Sequence, residues 1–296
     1  MNKKYQAITI SHLTPLNIIR HITIGLLFFI FMLNPALAYA NTKKPLKFGL
    51  LPHLSSNLLI KKYNKLIVYL ENRLQRKIIV KTAPDFKTYV QRSISGEYDV
   101  YLTAPHFAAH HKIRHQHRPL TRFARELSGV FAVGKNTSYK NISDLRGKTI
   151  TMPDPLAIIS MLGIVTLEDN DLYVGKNITV INTQSHNNAI LTMASGRSDA
   201  SISGNAAYNI SQRKNKKPIR ILAKTNSVPQ MMFMTPARLP KQESDVIKEA
   251  LLNFSANGAG KAFFIEAPFN DMIPVSQQDI NRLKIFIPKL DNSLKI

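Results

Sequence analysis

The chain has 296 residues, with 40 Lys and Arg against 18 Asp and Glu, a formal net charge of +22, and no cysteine. Lack of cysteine excludes a disulfide framework, a thiolate metal site and a lipid-bearing thiol near the N-terminus. The basic residues are spread along the chain rather than gathered in an arm or a recognition motif, so the charge reads as a solubilising, anion-attracting surface and not as a nucleic-acid-binding module.

Lys3, Lys4 and Arg20 precede an apolar stretch over Ile22–Leu33. Asn34-Pro35 then breaks the pattern, and Ala36-Leu37-Ala38 or Ala38-Tyr39-Ala40 offers a small-x-small cleavage site. The stretch falls short of the roughly 20 residues that span a bilayer. Residues 1–40 therefore read as a cleaved secretory signal peptide. The remaining chain reads as a freely diffusing periplasmic protein, long enough for one large or two small domains.

From Leu46 onward, strand and helix signals alternate. Leu46, Phe48 and Leu50 mark a strand, and Tyr63, Leu66, Ile67, Leu70 and Leu74 share one helical face. Strands over 77–82 and 99–102 come next, separated by a short helix beginning at Asp85 or Thr88, and Ala104-Pro105 opens another helix. Residues 123–133 read as an extended crossover into a second unit. That unit has strands at 149–152, 178–182, 199–203 and 219–223. Its helices are predicted from Pro155, with Asp154 as N-cap, over 186–194 after Ser185, and from Asn205. A second extended segment, 228–235, returns the chain to the first unit. A helix from Ser244, with Val246, Ile247, Ala250, Leu251 and Phe254 inward, and another near 259–265 complete it.

The expected fold class is α/β: two lobes with mainly parallel central sheets joined by two extended hinge segments. Residues 41–126 form the first part of lobe 1 and 127–231 form lobe 2. Residues 232–296 complete lobe 1 and supply a C-terminal segment. A ligand would sit between the lobes, where strand ends and helix N-termini converge.

Five stretches in order carry a resemblance: Ala83-Pro84-Asp85-Phe86, Tyr98 to Phe107, Asp144-Leu145-Arg146-Gly147-Lys148, Pro153-Asp154-Pro155, and Ser185-His186 followed by Ser195-Gly196-Arg197-Ser198-Asp199. Together, over roughly 45–265, they resemble the phosphonate/phosphite-binding family of periplasmic solute-binding proteins of ABC importers. The resemblance implies a type II periplasmic binding fold without catalysis or cofactor. It places Ala157, Ile158 and Ile159 where the family has a hydroxyl-rich Ser-Thr-Ser run, with Ser160 one step beyond. Backbone N–H groups there survive the loss of hydroxyls. The resemblance matches the family histidine to His186 and its aromatic to Phe86, and sets Thr103 where the family has a tyrosine. The acidic residues that hold an aminoalkyl ammonium in some members fall near Ala206 and Met231, so an aminoalkylphosphonate is a poor fit.

The candidate ligand contacts are His186, Thr103, His106, Phe86, Ala157, Ile158, Ile159 and Ser160, with no metal ligand among them. His186 leads, because a helix start favours a neutral imidazole that donates or accepts. His106 and His110, like His111 and His115, have the i, i+4 spacing of a Zn²⁺ site. Tyr101–Arg125 holds four arginines and no carboxylate, which disfavours a dication, and the run reads as a basic exposed helix face. No Ser-His-Asp set, paired carboxylates, phosphate-cradling glycine loop or metal-hydrolase helix occurs, so the chain reads as a non-enzyme. The expected function is capture of a small anionic solute for an ABC importer's membrane subunits, by a monomer. A sensor subunit reporting to a membrane receptor, or a zinc-binding periplasmic protein, are the alternatives.

Overall fold

The structure is a computed structural model that describes residues 44–214, 218–267 and 269–294. Residues 1–40, expected to form a signal peptide, lie outside the described residues.

Alternating strands and helices build the first lobe as expected. β1 (Leu46–Leu50), β2 (Ile78–Lys81) and β3 (Val100–Thr103) are parallel neighbours in the order β2-β1-β3. α1 (Ser56–Leu74), α2 (Phe86–Ile94) and α3 (Pro105–His115) connect or follow them. In α1, Leu59, Tyr63, Leu66, Ile67 and Leu70 are the buried stripe, the periodicity expected of a helix packed on a sheet. Asp85 caps α2, its carboxylate accepting from Thr88 N–H at 2.7 Å. Pro105 opens α3 at a position where its missing N–H costs nothing.

Each sheet is parallel on one side and antiparallel on the other. β4 (Arg118–Phe123), β10 (Met232–Thr235) and β11 (Met272–Pro274) extend the first sheet antiparallel, giving the order β11-β4-β10-β3-β1-β2. The second sheet runs β7-β6-β8-β5-β9. Its strands are β5 (Gly129–Gly134), β6 (Thr149–Met152), β7 (Thr179–Asn182), β8 (Ala200–Gly204) and β9 (Ile219–Lys224), and β5 is antiparallel to both its neighbours. The antiparallel pairs arise where the chain leaves one lobe and returns to it, since a strand entering from the other lobe runs against the βαβ direction. Irregular pairing at Phe233/Met234 and Phe131/Ala132 marks β10 and β5, the strands next to those crossings. β3 and β10 are buried along their whole length, as expected of central strands covered on both faces.

The two crossings touch each other. Leu127 and Val228 exchange backbone hydrogen bonds of 2.8 and 2.9 Å as an isolated antiparallel bridge. Arg282 clamps them from the side. Its guanidinium makes two 2.7 Å bonds to the Glu126 carboxylate and a third to the Ser227 carbonyl. Arg282 belongs to α9 (Gln277–Leu283), which with α10 (Ile287–Leu294) packs the C-terminal segment onto α3. α9 starts with a reciprocal capping box between Ser276 and Asp279. α7 (Lys241–Leu252) and α8 (Gly258–Glu266) complete the first lobe. α7 begins three residues earlier than expected and buries Ser244, Ile247, Ala250 and Leu251, whereas Val246, expected inward, is 51% exposed. The stripe that contains Ile247 excludes its neighbour, about 100° away around the helix.

Candidate functional site

A cleft of about 490 Å³ opens between the two sheets. Lobe 1 contributes the C-terminal end of β1, the first turn of α3, and Phe86. Lobe 2 contributes the turn before α4 (Ile158–Glu168) and the starts of α5 (His186–Ala194) and α6 (Asn205–Lys214). Glu126–Ser128, Gln230 and Met231, from the two crossings, form its back. Ligands of open α/β sheets sit at such strand ends.

Five of the sequence-predicted contacts line this cleft: Phe86, Ala157, Ile158, Ile159 and His186. The other three do not. Thr103 is fully buried in β3, opposite Met232, and its hydroxyl lacks a hydrogen-bond partner among the described residues. His106 is fully buried, stacked on Phe107, with Nε2 2.9 Å from the Leu156 carbonyl. It ties α3 of lobe 1 to the turn of lobe 2 from behind the cleft wall. Ser160 donates to the Pro153 carbonyl at 3.2 Å and holds that turn.

The turn itself differs from expectation. α4 begins at Ile158, not Pro155, and its N-cap is Ala157 in extended conformation. Asp154 closes a tight turn ahead of the helix: its carboxylate accepts from Leu156 N–H at 2.7 Å and its carbonyl from Ala157 N–H at 2.9 Å. A side chain that satisfies an N–H two residues on favours a turn over continued helix. The later start brings Ile158, Ile159 and Ser160 into the first helical turn, whose amide N–H groups have no intrahelical acceptor. The backbone donors expected at 157–159 therefore shift by about one residue. Ser185 caps α5 as predicted, accepting from Asn188 N–H at 3.2 Å.

Two residues the sequence reading passed over stand in the cleft. His53 follows β1, and Lys62 lies in the second turn of α1. Both were findable: His53 sits just past the end of a parallel strand, and Lys62 flanks the buried stripe of α1 three residues after Leu59. Lys62 Nζ lies 4.6 Å from the Phe269 ring centroid, a cation–π contact, and burial lowers its pKa. Burial, with the Lys62 charge second, pushes the His53 imidazole down to about 4. Burial does the same to His186. Both are neutral at pH 7.

Electrostatically the wall is one-sided. Lys62, Arg125 and Arg213 line it, against a single carboxylate, Glu126. Glu126 is held at about 2, chiefly by its bonds to Arg282, and Ser227 occupies it further at 2.7 Å. Ala206 and Met231, where the resemblance sets the ammonium-binding acids, both line the cleft without charge. Apolar side chains make up much of the remaining wall, including Phe86, Phe107, Ile158 and Ile159.

The histidine-rich run is not an exposed basic face. His106, His110, His111 and His117 are all buried. His111 is bonded to the Phe107 carbonyl and to Ser93, His117 to the Tyr101 hydroxyl at 2.5 Å, and His110 to Asp291 at 3.1 Å. The C-terminal helices, absent from the sequence-based elements, supply Asp291 and part of that cover. Among the described residues no group of three or more His, Asp or Glu is arranged to hold a metal ion.

Two α/β lobes, a paired crossing and a cleft lined by helix starts define a solute-binding protein of the type II periplasmic class. The family model for the periplasmic substrate-binding protein of phosphonate ABC transporters matches residues 48–280, and the chain belongs to that family. PhnD1 from Prochlorococcus marinus in complex with methylphosphonate superposes with a TM-score of 0.73 at 15% identity, over 84% of this chain and 98% of that one. A binding protein component of an ABC phosphonate transporter from Pseudomonas aeruginosa gives 0.70 at 14% identity, over 85% and 89%. The periplasmic aliphatic sulphonate binding protein SsuA from Escherichia coli gives 0.60 at 13%, over 84% and 92%. A comparison with curated proteins returned no match.

Proposed function

We propose that the protein, exported by residues 1–40 and acting as a monomer without catalysis, captures a small anionic solute between lobes 41–126/232–296 and 127–231. It then delivers the solute to the membrane subunits of an ABC importer. The observation that carries the anion is the cleft wall: Lys62, Arg125 and Arg213 face it while its one carboxylate is consumed by Arg282. The first turn of α4 adds amide donors at the positive end of a helix dipole. Leu127–Val228 pairing gives the lobes a common hinge about which closure would bury the solute.

A thermal-shift panel tests this. Ligand that binds only the folded state stabilises it by about 2.7 kcal/mol at a hundredfold excess over Kd. Phosphite, methylphosphonate and phenylphosphonate are expected to raise the Tm, with 2-aminoethylphosphonate weaker because no acid stands at Ala206 or Met231. His186→Ala is expected to reduce the shift without unfolding the protein. Stabilisation by arginine or Zn²⁺ alone, with no response to any anion, would overturn the reading.

A further inference from the structure

Two histidines from opposite lobes face the cleft with opposite hydrogen-bonding roles, and the backbone fixes which is which. His53 Nδ1 lies 3.0 Å from the Leu51 carbonyl. A carbonyl only accepts, so the proton sits on Nδ1 and Nε2 offers a lone pair. That Nε2 is buried and has no hydrogen-bond partner among the described residues. His186 is the reverse: the Gly204 N–H reaches its Nδ1 at 3.3 Å. An N–H only donates, so the neutral ring carries its proton on Nε2. Both side chains belong to the cleft wall, which therefore carries one unpaired acceptor, closed off from solvent, on lobe 1 and one donor on lobe 2, with the Lys62 ammonium on the His53 side. The ionisable groups around His53 are Lys62 and Tyr63 from α1 and His186 from α5. Arg125, Arg213 and the Arg282-bound Glu126 lie elsewhere on the wall.

A fully deprotonated oxyanion offers only acceptors, and would set an oxygen lone pair against His53 Nε2. A half-protonated acid offers both partners. Building on the anion-binding reading above, we propose that the cleft selects the monoanion of a phosphonic acid, R–PO₂(OH)⁻, whose hydroxyl donates to His53 Nε2 while its charged oxygens meet His186 Nε2–H and Lys62. The R group is apolar and lies against Phe86, Phe107 and Ile158. His53 is then the residue that separates phosphonates from sulfonates of the same shape. No bond between heavy atoms is made or broken: binding from the dianion takes up one proton from solvent, which forms the O–H on the ligand oxygen facing His53.

Calorimetric titration with phenylphosphonate and benzenesulfonate, the second a monoanion with no acid proton, tests this. Phenylphosphonate is expected to bind roughly tenfold to a hundredfold more tightly, the difference made by leaving a buried acceptor unpaired. Its affinity is expected to fall about tenfold per pH unit above its second pKa. His53→Phe is expected to erase both the preference and the pH slope, readouts that a merely structural loss of the Leu51 contact would not move. Equal binding of the two anions, a flat pH profile across the second pKa, or an unchanged preference in His53→Phe would overturn this inference alone. Absence of binding by both anions would overturn the anion-binding reading as well.

Discussion

Lowering the pH from 7 to 5 is expected to destabilise the protein by about 2 kcal/mol through His106 alone. Burial pushes this imidazole down to about 3, against about 6.5 in an unfolded chain. A second proton would have to sit on Nδ1, which is buried and without a partner among the described residues. Because its folded pKa is depressed, the unfolded state binds more protons below pH 6.5. Stability is then highest above that value and falls as the pH drops toward the folded pKa. His117, held at about 4, and His111, held well below its usual range by burial, act in the same direction. Glu126 adds nothing in this window, since its depressed value matters only below the ordinary carboxylate pKa. Thermal melts should show a Tm at least about 5 °C lower at pH 5 than at pH 7. His106→Gln, which keeps a donor for Leu156 and takes up no proton, is expected to flatten the curve. A Tm independent of pH between 7 and 5 would contradict this reading of the cluster.

Gly260→Ala is expected to cost about 3 kcal/mol or more, among the largest effects of any single methyl added to this chain. A Cβ on Gly260 in α8 would meet the Phe254 carbonyl oxygen at 1.8 Å and its carbon at 2.5 Å. Both are backbone atoms and have no rotamer to move to, so the contact between α8 and the end of α7 must open. The comparison Gly258→Ala, where nothing lies within 4 Å, is expected to change stability by no more than about 0.5 kcal/mol. Urea denaturation of the two variants separates them, and equal midpoints would show that the helix pair yields freely.

Most of the architecture was legible because each lobe repeats one local grammar: a β-branched strand, a cap, an apolar helical stripe and a glycine stop. The Ser185 cap and the buried stripe of α1 arise from that grammar without tertiary information. The Pro153–Ala157 turn shows where it fails. Asp154 is a good cap, but it serves a two-residue turn whose geometry depends on Ser160 reaching back to Pro153. The histidine run failed for a different reason. Its i, i+4 spacing is the same whether the helix face is exposed or covered, and the covering helices α9 and α10 come from the chain's end. The Ser276-x-x-Asp279 capping box that announces α9 was present in the sequence. Burial there turned His106, His110, His111 and His117 from a surface feature into a core one.

The cleft residues divide the same way. His186, Phe86 and the 157–159 stretch came from ordered motifs, whereas Thr103 at the end of β3 and His106 at the start of α3 are buried in the protein interior. His53 and Lys62 belong to no motif of the resemblance. The end of β1 and the edge of the buried stripe of α1 mark where such residues can stand, and the fold sets both across the cleft from α5.

The most direct test of anion capture in this cleft is a calorimetric titration of the purified protein with phenylphosphonate at pH 7, wild type beside Lys62→Met. Methionine keeps an unbranched side chain of similar length and removes the charge, and with it the cation–π contact to Phe269. The expected result is a single saturable site in the wild type whose Kd rises at least about tenfold in the variant, as for loss of a charge-assisted hydrogen bond. Equal affinity in the wild type and in Lys62→Met, or folded wild-type protein that gives no binding heat at all, would contradict it.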